Sequence, residues 1–195
     1  ECKWAISCSR VTYWKRIDRM IRALPVAKAA GCGCQLLIAG TGAEEDKLRS
    51  LVRELGVSSD VVWLGAMAHD AIWELMHVAD VFMITNDVTN RCNPLYEAAW
   101  AGLPVVSVFD PSTADLLKHG ENALLAEKED TDTLGRNLAA VCRDPGLAGK
   151  LSQAQGELTS SFWTWEERMK VEVEELERLM LNSFLESVVS QDKSG

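Results

Sequence analysis

No run of apolar residues approaches the roughly 18 to 20 that a bilayer-spanning helix needs. Basic residues are also scarce. Lys and Arg total 20 against 29 Asp and Glu, for a formal net charge of -9 and a pI near 4.9. A nucleic-acid partner requires a basic footprint, so this deficit argues against one. The chain opens "ECKWAISCSR", without an initiator Met or the apolar stretch of a secretory signal. Because it begins almost inside a strand, it is expected to be a piece of a longer protein and to be cytoplasmic. Metal-ligand spacing is missing among the six cysteines: "CGC" at 32–34 is too tight for a zinc knuckle, and no histidine partners it. Free structural thiols are expected in a chain without a signal peptide. The pattern G-x-x-x-x-G-K-[ST] occurs nowhere, which excludes a P-loop.

What is present is a globular composition, 47% apolar and 25% charged over 195 residues. The charge is uneven. Arg10, Lys15, Arg16, Arg19, Arg22 and Lys28 crowd the first thirty residues, opposed by Glu1 and Asp18, whereas the stretch from Glu166 to Glu186 is acidic. A basic patch on an acidic protein suits a small anionic ligand.

Strand and helix signals alternate along the chain. "WAISCSRV", "QLLIAG", "VVWLG", "VFMI", "PVVSV" and "ALLA" read as buried strands. Between them, residues 17–30, "EEDKLRSLVREL", "DAIWELMHVA" and "PLYEAAWA" read as helices, with Ile17, Met20, Ile21, Leu24 and Ala27 on one face of the first and its arginines on others. "STADLLKHG" reads as a helical turn or two, and helices are expected from Thr131 to Arg143 and from Gly146 to about Leu158. Thr164 and Glu167 form a capping box for a last helix, with Trp165, Met169, Val173, Leu176 and Met180 as its apolar stripe. This alternation predicts an α/β fold: a Rossmann-like three-layer α/β/α domain with a central parallel sheet over residues 1–186 and a frayed tail at 187–195.

Ligands of such sheets bind beyond the carboxyl ends of the strands. After the first strand, Arg10 and Lys15 can hold a diphosphate as a fork and a point charge; the plainer reading is solvated charge at a helix start. After the second, Gly40 and Gly42 begin a dinucleotide fingerprint, but Glu45 occupies its third position. A tight turn or a close backbone approach explains both glycines. After the fourth, Asn93 suits an N-cap and Pro94 the first helical position, so the amides of Leu95 and Tyr96 are expected to face outward as a phosphate site. Glu97 can accept hydrogen bonds from the vicinal hydroxyls of a ribose or sugar, worth about 1.5 to 3 kcal/mol each. A favourable charge near the helix dipole would contribute only about 0.3 to 1 kcal/mol.

"SRVTYWKRIDRMIRAL", "LLIAGTGAEEDKLRSLVRELGVSSDVVWLGAM", "ADVFMITND", "NPLYEAAWAGLPVV" and "GENALL" together resemble the C-terminal half of glycosyltransferase family 4, the retaining family with the two-domain GT-B fold. The resemblance implies a transferase whose half present here binds a nucleotide-sugar donor, with acceptor groups on an N-terminal domain outside the chain. It implies that Arg10 and Lys15 hold the donor diphosphate and that the turn of Asn93, Pro94 and Leu95 meets donor phosphate or sugar. Glu97 would grip the ribose as the second glutamate of the family's motif, and Gly42 would let the ligand lie against its loop. The first glutamate of that motif belongs eight residues before Glu97, where this chain has Thr89. A hydroxyl there can bond a sugar but cannot stabilise positive charge developing on the anomeric carbon. Cys92 and Ala123 stand where glycines are usual.

Transfer in this family looks metal-independent and needs no cofactor beyond the donor. In agreement, no histidine–carboxylate cluster is seen at a strand end. His69 before a helix, His77 late in it and His119 in a turn are not expected to act as bases. Membrane attachment would fall to the other half. The competing expectation is a degenerate module that holds a nucleotide or docks a partner, for which Thr89 is the best support; a sugar-nucleotide epimerase lacks identifiable catalytic carboxylates.

Overall fold

The computed structural model describes residues 2–89, 92–160, 162, 167, 169–176 and 178. Six parallel strands, β1 (Lys3–Cys8), β2 (Cys34–Ala39), β3 (Val61–Gly65), β4 (Val81–Ile84), β5 (Val105–Val108) and β6 (Ala123–Ala126), form one sheet in the order β3-β2-β1-β4-β5-β6. This is the Rossmann order. Strand order reverses between β1 and β4, which pair through Ala5 with Val81 and Ile6 with Phe82. Helices α1 (Ile17–Ala29), α2 (Glu45–Glu54), α3 (His69–Val78), α4 (Asn93–Trp100), α5 (Thr131–Arg143) and α6 (Pro145–Ser160) connect and cover the strands. The three-layer α/β/α expectation holds.

Continuous apolar runs make the central strands, and β4 and β5 are buried along their whole length, as a sheet covered on both faces requires. On one face, Met20, Ile21, Leu24 and Ala27 of α1 join Leu36 and Ile38 of β2 and Leu134 and Leu138 of α5 in the core. Helices α1 and α5 approach closely because Gly135 has no side chain. A Cβ there would lie 2.5 Å from the Ala23 carbonyl oxygen.

At "STADLLKHG" the helical turn expected is a 3-10 turn, Pro111–Thr113, capped by Asp110. Beyond it the Asn122 side chain accepts from Lys118 N–H at 2.8 Å and donates to the Leu116 carbonyl at 2.7 Å, replacing the bonds a helix would make. The chain groups into two compact units, Glu1–Ser160 and Ser161–Gly195. In the second unit residues 169–176 are helical, but the stripe members Val173 and Leu176 are 46% and 60% exposed, so apolar spacing there does not mark a buried face. Thr164, Trp165, Met180 and the tail 187–195 lie outside the described residues.

Arg19 also departs from expectation. Its place off the apolar stripe of α1 implies a solvated side chain, yet it is 2% exposed. Its guanidinium donates to the Thr85 carbonyl at 2.9 Å and pairs with Asp87 at 2.9 Å and Glu129 at 2.5 Å. Arg19→Ala should lower stability by about 2 to 3 kcal/mol, the scale of lost hydrogen bonds to charged groups. Arg19→Met should cost less, because it refills the space and leaves partly exposed carboxylates to water. Urea midpoints at unchanged slope check both.

Candidate functional site

The switch point between β1 and β4 is where chains leaving adjacent strands part, and it leaves a crevice at their carboxyl ends. After β1 the chain runs through exposed Arg10 to a 3-10 turn, Tyr13–Lys15, and enters α1 through Arg16 in the left-handed conformation (φ 48°). After β4 it runs through Thr85 and Asp87 towards α4. Backbone and side-chain bonds tie the two loops: Asp87 N–H donates to the Trp14 carbonyl at 3.0 Å, and the Thr85 hydroxyl to the Arg16 carbonyl at 2.8 Å. Arg16 itself pairs with Asp18 at 3.0 Å, Asp87 at 3.2 Å and Glu129 at 3.3 Å; Asp18 first, then Glu129, raises its guanidinium above the ordinary value against the opposing effect of burial. The Lys128 ammonium donates to the Asp87 carbonyl.

These pairings sort the basic patch. Arg16 and Arg19 are neutralised by Asp18, Asp87 and Glu129, and Lys28 by Asp60. Arg10 and half-buried Lys15 have no carboxylate partner among the described residues. Sequence order grouped six cations; pairing leaves three without a carboxylate partner among the described residues, Arg10 and Lys15 in the loop after β1 and Arg22 on α1.

Lys15 is close enough to the N-cap of α4 for its charge to be felt there. Its charge acts on the Cys92 thiol, which burial raises and Lys15 lowers. The helix begins one residue earlier than expected: Cys92 is the N-cap, Asn93 the first helical residue and Pro94 the second, with no side-chain cap. Asn93 is therefore not the cap. The Leu95 amide, expected to face outward, donates to the Cys92 carbonyl at 3.0 Å, and its side chain is core. Pro94 has no N–H. The exposed Asn93 amide remains at the helix mouth without a partner among the described residues, beside the positive end of the dipole.

Glu97, on α4, raises the same Cys92 thiol. Burial pushes the Cys8 thiol, at the end of β1, up to about 12, and the Glu97 charge adds to that. The glutamate, with 17% of its side chain exposed, bonds the His69 Nε2 at 3.0 Å. His69, the first residue of α3, is held above the ordinary histidine value of 6.5, first by this bond and then by the charge of Glu97. A histidine–carboxylate pair thus does stand at the strand ends, contrary to expectation. Its members are 28 residues apart, so local spacing carries no signal of it. The other two histidines have structural contacts: His77 meets Trp73 edge to face, and His119 Nδ1 accepts from the Leu125 amide at 3.0 Å.

Gly42 and Thr89 have roles within the chain. A Cβ at Gly42 would lie 2.2 Å from the Val11 carbonyl oxygen, and that carbonyl accepts from Glu44 N–H at 3.1 Å. The glycine therefore admits the loop after β1 at the position where a ligand was expected. Thr89 is 5% exposed, and its amide donates to Asp110 Oδ2 at 2.5 Å. Burial raises the Asp110 carboxyl, but bonds from Ser112 and Thr89 outweigh this and hold it below its ordinary value. A separate cleft of about 420 Å³ opens between α1 and α2, lined by Thr12, Tyr13, Arg22, Glu44 and Lys47 among others. Arg10, Lys15 and Glu97 are not in its lining.

The strand order defines a Rossmann-like domain whose loops after β1 and β4 meet at the switch point. The family model described as "Glycosyl transferases group 1" matches residues 2–157, and the chain belongs to that family. A glycosyltransferase of Methanocaldococcus jannaschii is 31% identical over 145 residues, covering 74% of this chain and 37% of the relative. The GDP-mannose-dependent alpha-(1-6)-phosphatidylinositol monomannoside mannosyltransferase of Mycobacterium tuberculosis is 26% identical over 168 residues, covering 83% and 44%. The chain thus spans less than half the length of these relatives. Among solved structures, sucrose-phosphate synthase from Thermosynechococcus elongatus superposes with a TM-score of 0.80 at 21% identity over 93% of this chain and 46% of that one. Anabaena HepE in complex with UDP and glucose gives 0.75 at 22% identity over 90% and 48%. The GT-B fold class is thereby established.

The His69–Glu97 pair predicts a titration. His69 is protonated more readily in the folded chain, so the pair adds stability below the unfolded histidine value of 6.5 and loses it as pH rises through the raised folded value. Proton NMR should find His69 titrating above 6.5 and moving back towards it in Glu97→Gln. An identical midpoint in both proteins would mean the pair does not persist in solution.

Proposed function

We propose that this chain is the donor-binding half of a retaining glycosyltransferase, which moves a sugar from a nucleoside diphosphate sugar to an acceptor bound by an N-terminal domain outside the chain. The observation that carries this reading is Lys15, half-buried beside the cap of α4 and without a carboxylate partner among the described residues. A cation so placed asks for an anion, and a diphosphate supplies one.

In this reading Lys15, Arg10 and the Asn93 amide surround the donor diphosphate. As the bond from the anomeric carbon to the diphosphate oxygen breaks, negative charge grows on the departing nucleotide. Preorganised cations and the helix mouth stabilise that charge more than they stabilise the intact donor, and this difference lowers the barrier. These groups do the work that a metal ion does in other phosphate sites. Glu97 leaves His69 and accepts hydrogen bonds from the ribose hydroxyls. Its half-buried setting strengthens them relative to water. The six unbridged cysteines favour a reducing compartment, the cytoplasm; no described helix is long and apolar enough to cross a membrane.

A second reading is favoured by Thr89. Where the resemblance calls for a carboxylate, this chain has a buried hydroxyl side chain whose own amide is tied to Asp110. A module that binds a nucleotide without transferring sugar would retain Lys15 and Glu97 and tolerate this change.

The nucleotide base is open, since the mannosyltransferase relative is named for GDP-mannose and the HepE structure contains UDP. Calorimetric titration of the chain with UDP, GDP and ADP should find saturable binding of one of them. Glu97→Ala and Lys15→Ala should each weaken it about tenfold or more, one charge-assisted hydrogen bond being worth about 1.5 to 3 kcal/mol. Absence of binding, or binding indifferent to both substitutions, would contradict the assignment. Turnover by the full-length enzyme separates transferase from silent module.

A further inference from the structure

We propose that Cys32, Cys34 and Cys142 form a binding site for a soft monovalent cation, Cu(I), at the opposite end of the sheet from the donor crevice. Cys32 follows α1 and Cys34 opens β2, so the Cys-Gly-Cys stretch offers two sulfurs at the amino end of the sheet. The last turn of α5 brings Cys142 to them. The three sulfurs lie within 4.8 Å of one another; Cys32 and Cys34 are buried and Cys142 is half-buried. The sequence spacing that excludes a zinc knuckle contains only two of these ligands. The third arrives through tertiary packing, more than a hundred residues later.

Distance and ligand type select the ion. With metal–sulfur bonds of about 2.3 Å, the sulfurs of a trigonal site stand about 4 Å apart, which this cluster reaches by contracting less than 1 Å. Thiolates favour soft ions, Cu(I) and zinc among them. Structural zinc demands a fourth protein ligand, and the two nearby carboxylates are engaged. Asp60 holds Lys28 at 2.8 Å, while Asp80 holds Lys3 at 2.9 Å and the Trp4 amide at 2.8 Å. Three sulfurs without a fourth ligand suit a d10 ion content with three-coordination.

Access and charge are also provided. A cavity of about 70 Å³, lined by Cys32, Gly33, Cys34, Lys28 and Asp60 among others, reaches two of the sulfurs. A Cβ at Gly33 would meet nothing within 4 Å, so the approach past it is open. Arg143 donates to the Ala30 carbonyl at 2.6 Å, placing a permanent positive charge beside the turn that carries Cys32. That charge opposes the negative charge of three thiolates around one Cu(I). Binding replaces the thiol protons, which pass to solvent, and no electron is transferred. The bland alternative is that three cysteines fill space as small apolar groups.

The test is anaerobic titration of the reduced 195-residue chain with Cu(I) against a colorimetric chelator, bicinchoninate, with X-ray absorption on the product. The expected result is one Cu(I) retained per chain with three sulfur neighbours. Cys142→Ser and Cys34→Ser should each weaken retention by more than about 100-fold, beyond the loss typical of an outer-shell partner, while Cys2→Ser leaves it unchanged. Circular dichroism establishes that each variant is folded, and either folded variant alone decides the question. Failure to retain Cu(I), retention unaffected by the substitutions, or retention of Zn(II) but not Cu(I) would each overturn the proposal. None of these readouts depends on donor binding.

Discussion

The buried guanidinium of Arg19 is the constraint on which the geometry of the crevice depends. From α1 it reaches the Thr85 carbonyl, Asp87 and Glu129, so the chains leaving β1, β4 and β6 meet at one side chain. Its Nε remains without a hydrogen-bond partner, and its desolvation offsets much of what its bonds contribute. The network therefore matters more for registry than for net stability. If the loop after β4 drifted, α4 would enter at another angle.

Around that frame the polar groups divide into satisfied and unsatisfied. Arg16, Arg19, Asp87 and Glu129 neutralise one another, and Asp110 is satisfied by backbone amides from its own turn and from Thr89. Lys15 and the Asn93 amide remain without a partner among the described residues. Glu97 is occupied by an exposed histidine that a ligand can displace. An exposed ion pair is worth little in water, so giving it up for ribose hydroxyls costs little. This asymmetry, paired charges around a few unpaired ones, is what the proposed donor site rests on.

Much of the fold is legible in the sequence because each strand is a short apolar run and each helix has one apolar face. Helix α5 is read to its last residue, since Thr131 and Arg143 bound a clear periodicity. Strand order is not legible: nothing local says that β1 lies between β2 and β4. Periodicity also misplaces Arg19, because a position off the apolar stripe can still be buried beneath a neighbouring loop. Val173 and Leu176 err in the opposite sense, apolar at helical spacing yet exposed. At the site, residue types after the strands point to Lys15 and Glu97, but not to which cations are already paired. His69 and Cys142 carry no local signal, for their partners lie far away in the chain. Gly42 shows that a glycine beside a ligand loop can serve the chain's own crossing.

The central claim, that a nucleoside diphosphate seats between Lys15 and the mouth of α4, is tested most directly by a crystal structure of the chain soaked with the diphosphate that it binds. The account predicts the phosphates between the Lys15 ammonium and the Asn93 amide, with Glu97 turned from His69 onto the ribose hydroxyls. A nucleotide lodged in the cleft between α1 and α2, with the His69–Glu97 pair intact, would contradict it.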